Sequence, residues 1–423
     1  MENWLKISLI LSLFGFFKEI RPSEPFVYEY LSGKWTNITE QEVSEQIFAV
    51  GTYINTPLVV VAFLVTDLSR YKPLIILCGI FGIIVWNLLI WFPTLLMMQL
   101  MEFFYAAFIS CDIAYFTYMY AKVDKEHYPK VTSNTRMAYL LGRSMSGVLG
   151  QILVSLEIMD YKELNYISLL AMIMATATCL FLPSVEHSIY FHQKGEQKTK
   201  LAKSEKFIAA FRLMGRSFKD SFSKDLVVKW SLVHAISTCG FGLVEVYSQT
   251  LWTEINKTDH VVLQNGIVVA VYTLIGVVGA YFAGYFRIDW SKISIFVFSA
   301  YFSISGALLI YTSYTNSVYV SYAVYCTFCG LYQFMVTVAF SEISQRIPPD
   351  SYGLILGVNA FVALVLQSII TSIVINMLHA PVRQQYLIFG LCHLVILSIY
   401  LIYELYRKVY SKVRRNSPDI AIC

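Results

Sequence analysis

Twelve stretches of mostly apolar residues run along this chain, near 5–22, 46–66, 73–94, 97–121, 132–156, 164–183, 227–250, 262–286, 290–312, 317–342, 352–378 and 384–406. A helix that crosses the hydrocarbon core of a bilayer needs about 20 such residues. The pattern therefore predicts an all-α membrane protein with twelve transmembrane helices. One long polar interruption, from about 184 to 226, separates six stretches from six. It is basic, and a short amphipathic helix around 207–213 is placed on the membrane surface. The expected organisation is a six-helix bundle (1–183), a connector (184–226), a second six-helix bundle (227–410) and a tail (411–423). Charged turns of similar make-up, Asp67 to Lys72 and Arg287 to Lys292, follow the second helix of each half and suggest an internal repeat.

The first apolar run is interrupted by Arg21-Pro22-Ser23-Glu24-Pro25-Phe26. Proline removes a backbone donor and clashes with the preceding turn, so the helix is expected to kink or open there. Irregular backbone at membrane depth is tolerated only inside protein or beside water. An acid at that depth marks a functional position by default. Glu24 is thus expected to face a polar pathway; the bland alternative ends the run early and leaves Glu24 in a solvated loop.

Composition agrees with this reading. The 423 residues are 57% hydrophobic and 14% charged, against about 25% charged in soluble domains. The net charge of +4 does not indicate nucleic acid, because the basic residues cluster in alternate loops. Arg70 and Lys72, Lys122 to Arg136, the connector, Lys292 and the tail from Arg407 all fall on one side if both termini are cytoplasmic. Two sequons, Asn37-Ile38-Thr39 and Asn256-Lys257-Thr258, fall on the opposite side, where Asn37 and Asn256 would accept glycans. No cleavable leader is expected. Seven of the eight cysteines lie in apolar stretches, so no disulfide is expected, and Cys326 and Cys329 read as packing residues.

The notable ionisable residues within or beside the stretches are Glu24, Glu102, Asp112, Arg143, His234 and Glu245. A charge at a helix centre costs about 2.5–3.5 kcal/mol on insertion scales, so several would not be kept facing lipid. Tyr105, Asp112, Tyr115 and Met119 share one face of a regular helix, offering a carboxylate flanked by aromatics to a flat cation. Arg143, on a face with Gly147 and Gly150, either pairs with Asp112 for structure or grips an anionic group on the substrate. Glu245 has Tyr247 nearby and Asn265 on the next helix, Glu102 sits near a helix end where it can reach solvent, and His234 reads as a packing residue. The sequence has no nucleophile elbow, no Walker loop and no HExxH metal motif; a secondary transporter without catalytic residues, metal or cofactor is expected. A receptor or scaffold would call for a large folded domain outside the spans, which this sequence lacks.

Phe14-Gly15-Phe16-Phe17, the Arg21 to Phe26 segment, Tyr30-Leu31-Ser32-Gly33, Thr66-Asp67 with Arg70-Tyr71-Lys72-Pro73, Glu102-Phe103-Phe104-Tyr105, Glu126-His127-Tyr128 and Gly357-Val358-Asn359 together resemble the reduced folate and thiamine carrier family. The resemblance runs in order through nearly the whole chain. It implies a major facilitator fold and uptake of a water-soluble vitamin across the plasma membrane, with proton or anion coupling open. The folate-carrying member has basic residues where this chain has Asp112, Cys329 and Gln367; the thiamine carriers have an acid and a glutamine at Asp112 and Gln367. The resemblance therefore implies thiamine or a related cation, with Glu24, Asp112, Tyr115, Asn265 and Gln367 at the site; stacking by Tyr115 and Tyr247 is expected beside them. The alternative is an anionic vitamin, folate or a thiamine phosphate, held by Arg143. Three departures stand out: Gly51 where the thiamine carriers have tryptophan, and the charges Arg143 and Glu245.

Overall fold

The computed structural model describes residues 3–185, 203–285, 290–348 and 351–416. The expected turn at Arg287, most of the connector's first half and the end of the tail lie outside the described residues. Helix α1 (Asn3–Lys18) stops where Glu19 to Pro22 leaves helical geometry; a 3-10 turn, Glu24–Phe26, then leads into α2 (Val27–Leu31). The two prolines explain the break. Ser146 Oγ accepts from the Arg21 backbone N–H at 2.7 Å, which satisfies one of the groups that the break frees.

Thr39 then starts α3 (Glu40–Glu42) with a reciprocal capping box to Glu42. A π-helical turn, Val43–Phe48, joins it to α4 (Ala49–Leu68), and α5 spans Lys72–Trp91. The turn between α4 and α5 carries Arg70 at φ 60° and Tyr71 at φ 67°. The single helix expected over 97–121 is divided at Cys111 into α6 (Leu95–Ser110) and α7 (Asp112–Lys122). Next come α8 (Tyr128–Ser155) and α9 (Leu164–Leu180). The amphipathic segment expected at 207–213 is the middle of a longer helix, α10 (Lys203–Phe222). The second bundle holds α11 (Asp225–Asp259), α12 (Asn265–Tyr285), α13 (Ser294–Tyr314), α14 (Val318–Ser344), α15 (Tyr352–Thr371, with a π-helical turn Ser372–Met377) and α16 (Val382–Asn416).

Among the described residues, nine helices are long and apolar enough to cross a membrane, and Leu164–Leu180 and Asn265–Gly279 are shorter apolar helices. Buried side chains gather in two separate groups. One includes Leu11, Phe14, Trp86, Phe108 and Met172; the other includes Leu243, Tyr247, Phe328 and Phe389, with a neighbouring cluster around Trp230 and Phe298. Large apolar side chains such as Leu96, Phe181, Phe296 and Ile402 remain outside, as a lipid-facing surface requires. The bundles meet along α8 with α12 and along α4 with α15. A Cβ on Gly147 would come within 2.4 Å of the Gly266 carbonyl, so the α8–α12 approach depends on these small residues.

A candidate substrate cavity between the bundles

A cavity of about 500 Å³ lies between the two groups of helices, within the range of about 300–1,000 Å³ typical of small-molecule sites. Its wall includes the aromatic residues Phe48, Trp86, Tyr105, Phe241, Tyr272 and Tyr332. Phe241 and Tyr332 stack with ring centroids 4.2 Å apart. Five carboxyl groups line it, from Glu19, Glu24, Glu102, Asp112 and Glu245, against two guanidinium groups, from Arg21 and Arg143.

The break after α1 organises most of these charges. Lys18 is buried, with its ammonium 2.7 Å from Asp112 Oδ1 and 3.3 Å from Glu19 Oε1. Arg21 spans Glu19 at 2.7 Å and Glu24 at 2.9 Å. The Tyr105 hydroxyl donates to Glu24 Oε1 at 2.8 Å. Lys18 and Arg21 both lie over the face of Phe108. Buried charges persist when they are paired and hydrogen-bonded, and this cluster meets that condition.

Asp112 and Arg143 do not pair. Asp112 begins α7 at the Cys111 kink, facing the end of α1, so Lys18 reaches it first. Arg143 points toward the second bundle, pairs with Glu245 on α11 at 2.8 Å and lies over the Tyr272 ring. The aromatic face expected around Asp112 is also divided by that kink. Tyr105 and Asp112 line the cavity, but Tyr115 is buried outside it, packed where a side chain on Gly15 would stand and donating to the Leu11 carbonyl. Tyr247 is likewise buried in the second core.

Gln367 lines the cavity in space that Gly242 leaves open; a Cβ there would meet its Oε1 at 2.5 Å. Asn265 stands at the wall with its amide committed, donating to Glu29 at 2.9 Å and accepting from Tyr322 at 2.7 Å. Glu102, expected near solvent, lines the cavity and has no ion-pair or hydrogen-bond partner among the described residues. Its Oε2 occupies the place that a Cβ on Gly51 would need, 2.2 Å away. Lys18, Glu19 and Glu29 were not anticipated as site elements. Their signal was present as three more charges inside the first apolar run.

Hydrogen bonds tie the bundles together at the end that carries the α2–α3 and α11–α12 turns. Gln249 accepts from the Tyr28 backbone and donates to the Glu24 carbonyl, both at 3.0 Å. Gln151 donates to the Leu263 carbonyl and accepts from Gly266 N–H. Tyr53 donates to Asn376, which donates in turn to the Glu45 carbonyl. Lys257 bridges to Glu40 at 2.8 Å, so the segment after Asn37 neighbours the last turns of α11, where Asn256 lies inside the helix and accepts from the Val261 backbone N–H at 2.8 Å.

The sequence profile described as Reduced folate carrier matches residues 2–388. The chain is 32% identical to human thiamine transporter 2, covering 99% of this chain and 95% of that protein. It is 33% identical to human thiamine transporter 1 (95% and 89%) and 32% identical to Caenorhabditis elegans folate transporter 1 (94% and 91%). Among solved structures it superposes on the POT family transporter PepTSo with TM-score 0.69 at 12% identity, covering 97% of this chain and 99% of that one. The xylose transporter XylE from E. coli gives 0.62 at 14% (95% and 98%). At such identities these likenesses speak to the fold alone, which is of the major facilitator type.

Proposed function

The chain belongs to the reduced folate carrier family, and from that premise we propose that it carries thiamine or a related organic cation across the plasma membrane by alternating access. It is a membrane transporter and not an enzyme. The observation that carries the substrate reading is the charge of the cavity wall. Five carboxyl groups face two guanidinium groups, and with Lys18 added the carboxyls still exceed the cations. Glu102 alone among them lacks a partner among the described residues, beside aromatic faces that suit a flat cation. Glu24, Glu102 and Asp112 supply the negative field, Gln367 directional hydrogen bonds, and Phe241 with Tyr332 a stacking surface. Tyr115 and Tyr247 act behind the wall, as supports, and Asn265 stands at the wall with its amide held by Glu29 and Tyr322.

Transport proceeds by rocking residues 1–183 against 227–410. In the arrangement described, the sequon-bearing end is closed. Twelve crossings with both termini cytoplasmic put that end outside, where Asn37 and Asn256 carry glycans. The exposed position of Asn37 and its nearness to the end of α11 that carries Asn256 support this.

A second reading, an anionic vitamin held by Arg143, draws on the similarity to a folate transporter. It requires Arg143 to exchange Glu245 for the substrate. Labelled thiamine and labelled folate are to be compared in cells with and without the chain. Thiamine uptake that unlabelled thiamine suppresses, without folate uptake, is the expected result. Folate uptake alone would overturn the cation reading.

A further inference from the structure

Helix α10 has three faces rather than two. Ala210 and Met214 are buried and Leu213 partly so; with them the helix rests on Phe63 and Leu64 of α4 and on Leu354 and Val358 of α15. Those residues belong to different bundles, so α10 lies across the seam between them. Opposite the docked side, Ile208 and Phe218 are 58% and 43% exposed, ten residues apart and therefore on one helical face with Phe211 and Gly215. Next to that face stand Arg212, Arg216 and Lys219, also exposed and spaced 4 and 3 apart. Asp220 is an acid at the flank of this basic stripe, and the helix carries a second, Glu205, in its first turn.

An apolar stripe that keeps much of its surface exposed, beside a basic stripe that is exposed too, is the geometry of a helix lying in a bilayer interface. Water alone would not favour exposed Ile208 and Phe218, and a soluble acidic partner would leave them unused. Along the chain the next exposed apolar residue is Leu226, at the start of α11. We infer that α10 binds anionic phospholipid headgroups at the bilayer surface and works as a lipid-anchored strap across the α4–α15 seam. Parting of the bundles at this end must separate Phe63 and Leu64 from Leu354 and Val358. A strap held by lipid resists that separation, so membrane composition would set how readily the seam opens.

Hydrogen–deuterium exchange of α10, in the full-length protein, tests this without reference to any transported substrate. The protein is placed in bilayer discs of phosphatidylcholine alone or with a phosphatidylserine fraction. Each basic residue at an anionic surface is worth about a fivefold change in binding. Exchange across α10 should slow severalfold with phosphatidylserine, and the triple variant Arg212→Gln, Arg216→Gln, Lys219→Gln should remove that protection. Restoring lysine at all three positions should bring it back, and unchanged exchange in the bundle helices would show that the variant is folded. Equal exchange in both lipids would overturn the proposal. So would equal protection in neutral lipid by soluble inositol hexakisphosphate, because the site would then be one for free phosphate.

Discussion

The two sets of charges beside the cavity are built differently. Around the break after α1, Lys18 and Arg21 are 1% and 3% exposed and Glu19 is sealed, so each charge is held by more than one partner. Across the cavity, Arg143 and Glu245 are 24% and 37% exposed and form a single pair that joins the two bundles. A sealed, multiply bonded cluster cannot exchange a partner without exposing another buried charge. A half-open pair can exchange with water or with a ligand. The first therefore belongs to the architecture of the break, and the second to the moving interface.

The sharpest way to break this contrast is to remove Lys18. Lys18→Met would leave Asp112 and Glu19 with one cation between them. Truncating one member of a buried ion pair costs about 3–5 kcal/mol, so thermal stability in detergent and delivery to the cell surface should both fall steeply. Adding Asp112→Asn should restore part of the loss. Full stability of the single variant would show that the cluster is not structural.

Glu102→Gln tests the opposite case, a carboxyl whose removal strands no partner. Surface delivery should be unchanged while uptake of the organic cation drops by about tenfold, the equivalent of about 1.4 kcal/mol of lost interaction. Unaltered uptake would remove Glu102 from the recognition surface. Gly51 bears on the same point. A bulky residue there displaces the Glu102 carboxyl, which occupies the volume that a tryptophan would fill.

Much of this organisation could be read before any coordinates, for definite reasons. The α1 break was legible because two prolines in an apolar run admit few backbone paths. The wall positions of Glu24, Asp112, Arg143 and Glu245 followed the same logic, since isolated charges at depth have few places to be, whereas Glu102 was expected to reach solvent and lines the cavity instead. Their pairing was not legible. Helical spacing put Tyr105, Asp112 and Tyr115 on one face, but the helix is interrupted at Cys111 and Tyr115 is buried outside the cavity against Gly15, which the local sequence does not announce. The partner of Asp112, Lys18, lies 94 residues earlier, inside the first apolar stretch. Asn265, read as a site residue, stands at the cavity wall, and the partner of its amide there, Glu29 close to the α1 break, was not legible.

The Arg143–Glu245 pair should give an intermediate effect, and its sign is informative. Either residue truncated to alanine should impair uptake, and the exchanged pair Arg143→Glu with Glu245→Arg should recover part of it. Coupling energies between contacting residues run about 0.5–3 kcal/mol. Recovery would identify an inter-bundle link that either polarity satisfies. Loss that no exchange repairs, together with a change in substrate preference, would instead favour direct contact between Arg143 and an anionic group.

The smallest effect is expected at Lys257 and Glu40, which also join the two bundles but are 49% and 50% exposed. Geometry alone would rank this pair with Arg143–Glu245, since both show an N···O distance of 2.8 Å. Exposure separates them. A solvent-exposed ion pair contributes about 0–1 kcal/mol, and salt screens what remains, the Debye length being about 8 Å at physiological ionic strength. Lys257→Ala should therefore change uptake little and leave thermal stability nearly unaltered, with any difference vanishing as salt is raised. If Lys257→Ala instead impaired transport as strongly as Arg143→Ala, then closure of the sequon-bearing end would depend on its rim. The contrast between sealed, half-open and exposed pairs would then not predict function.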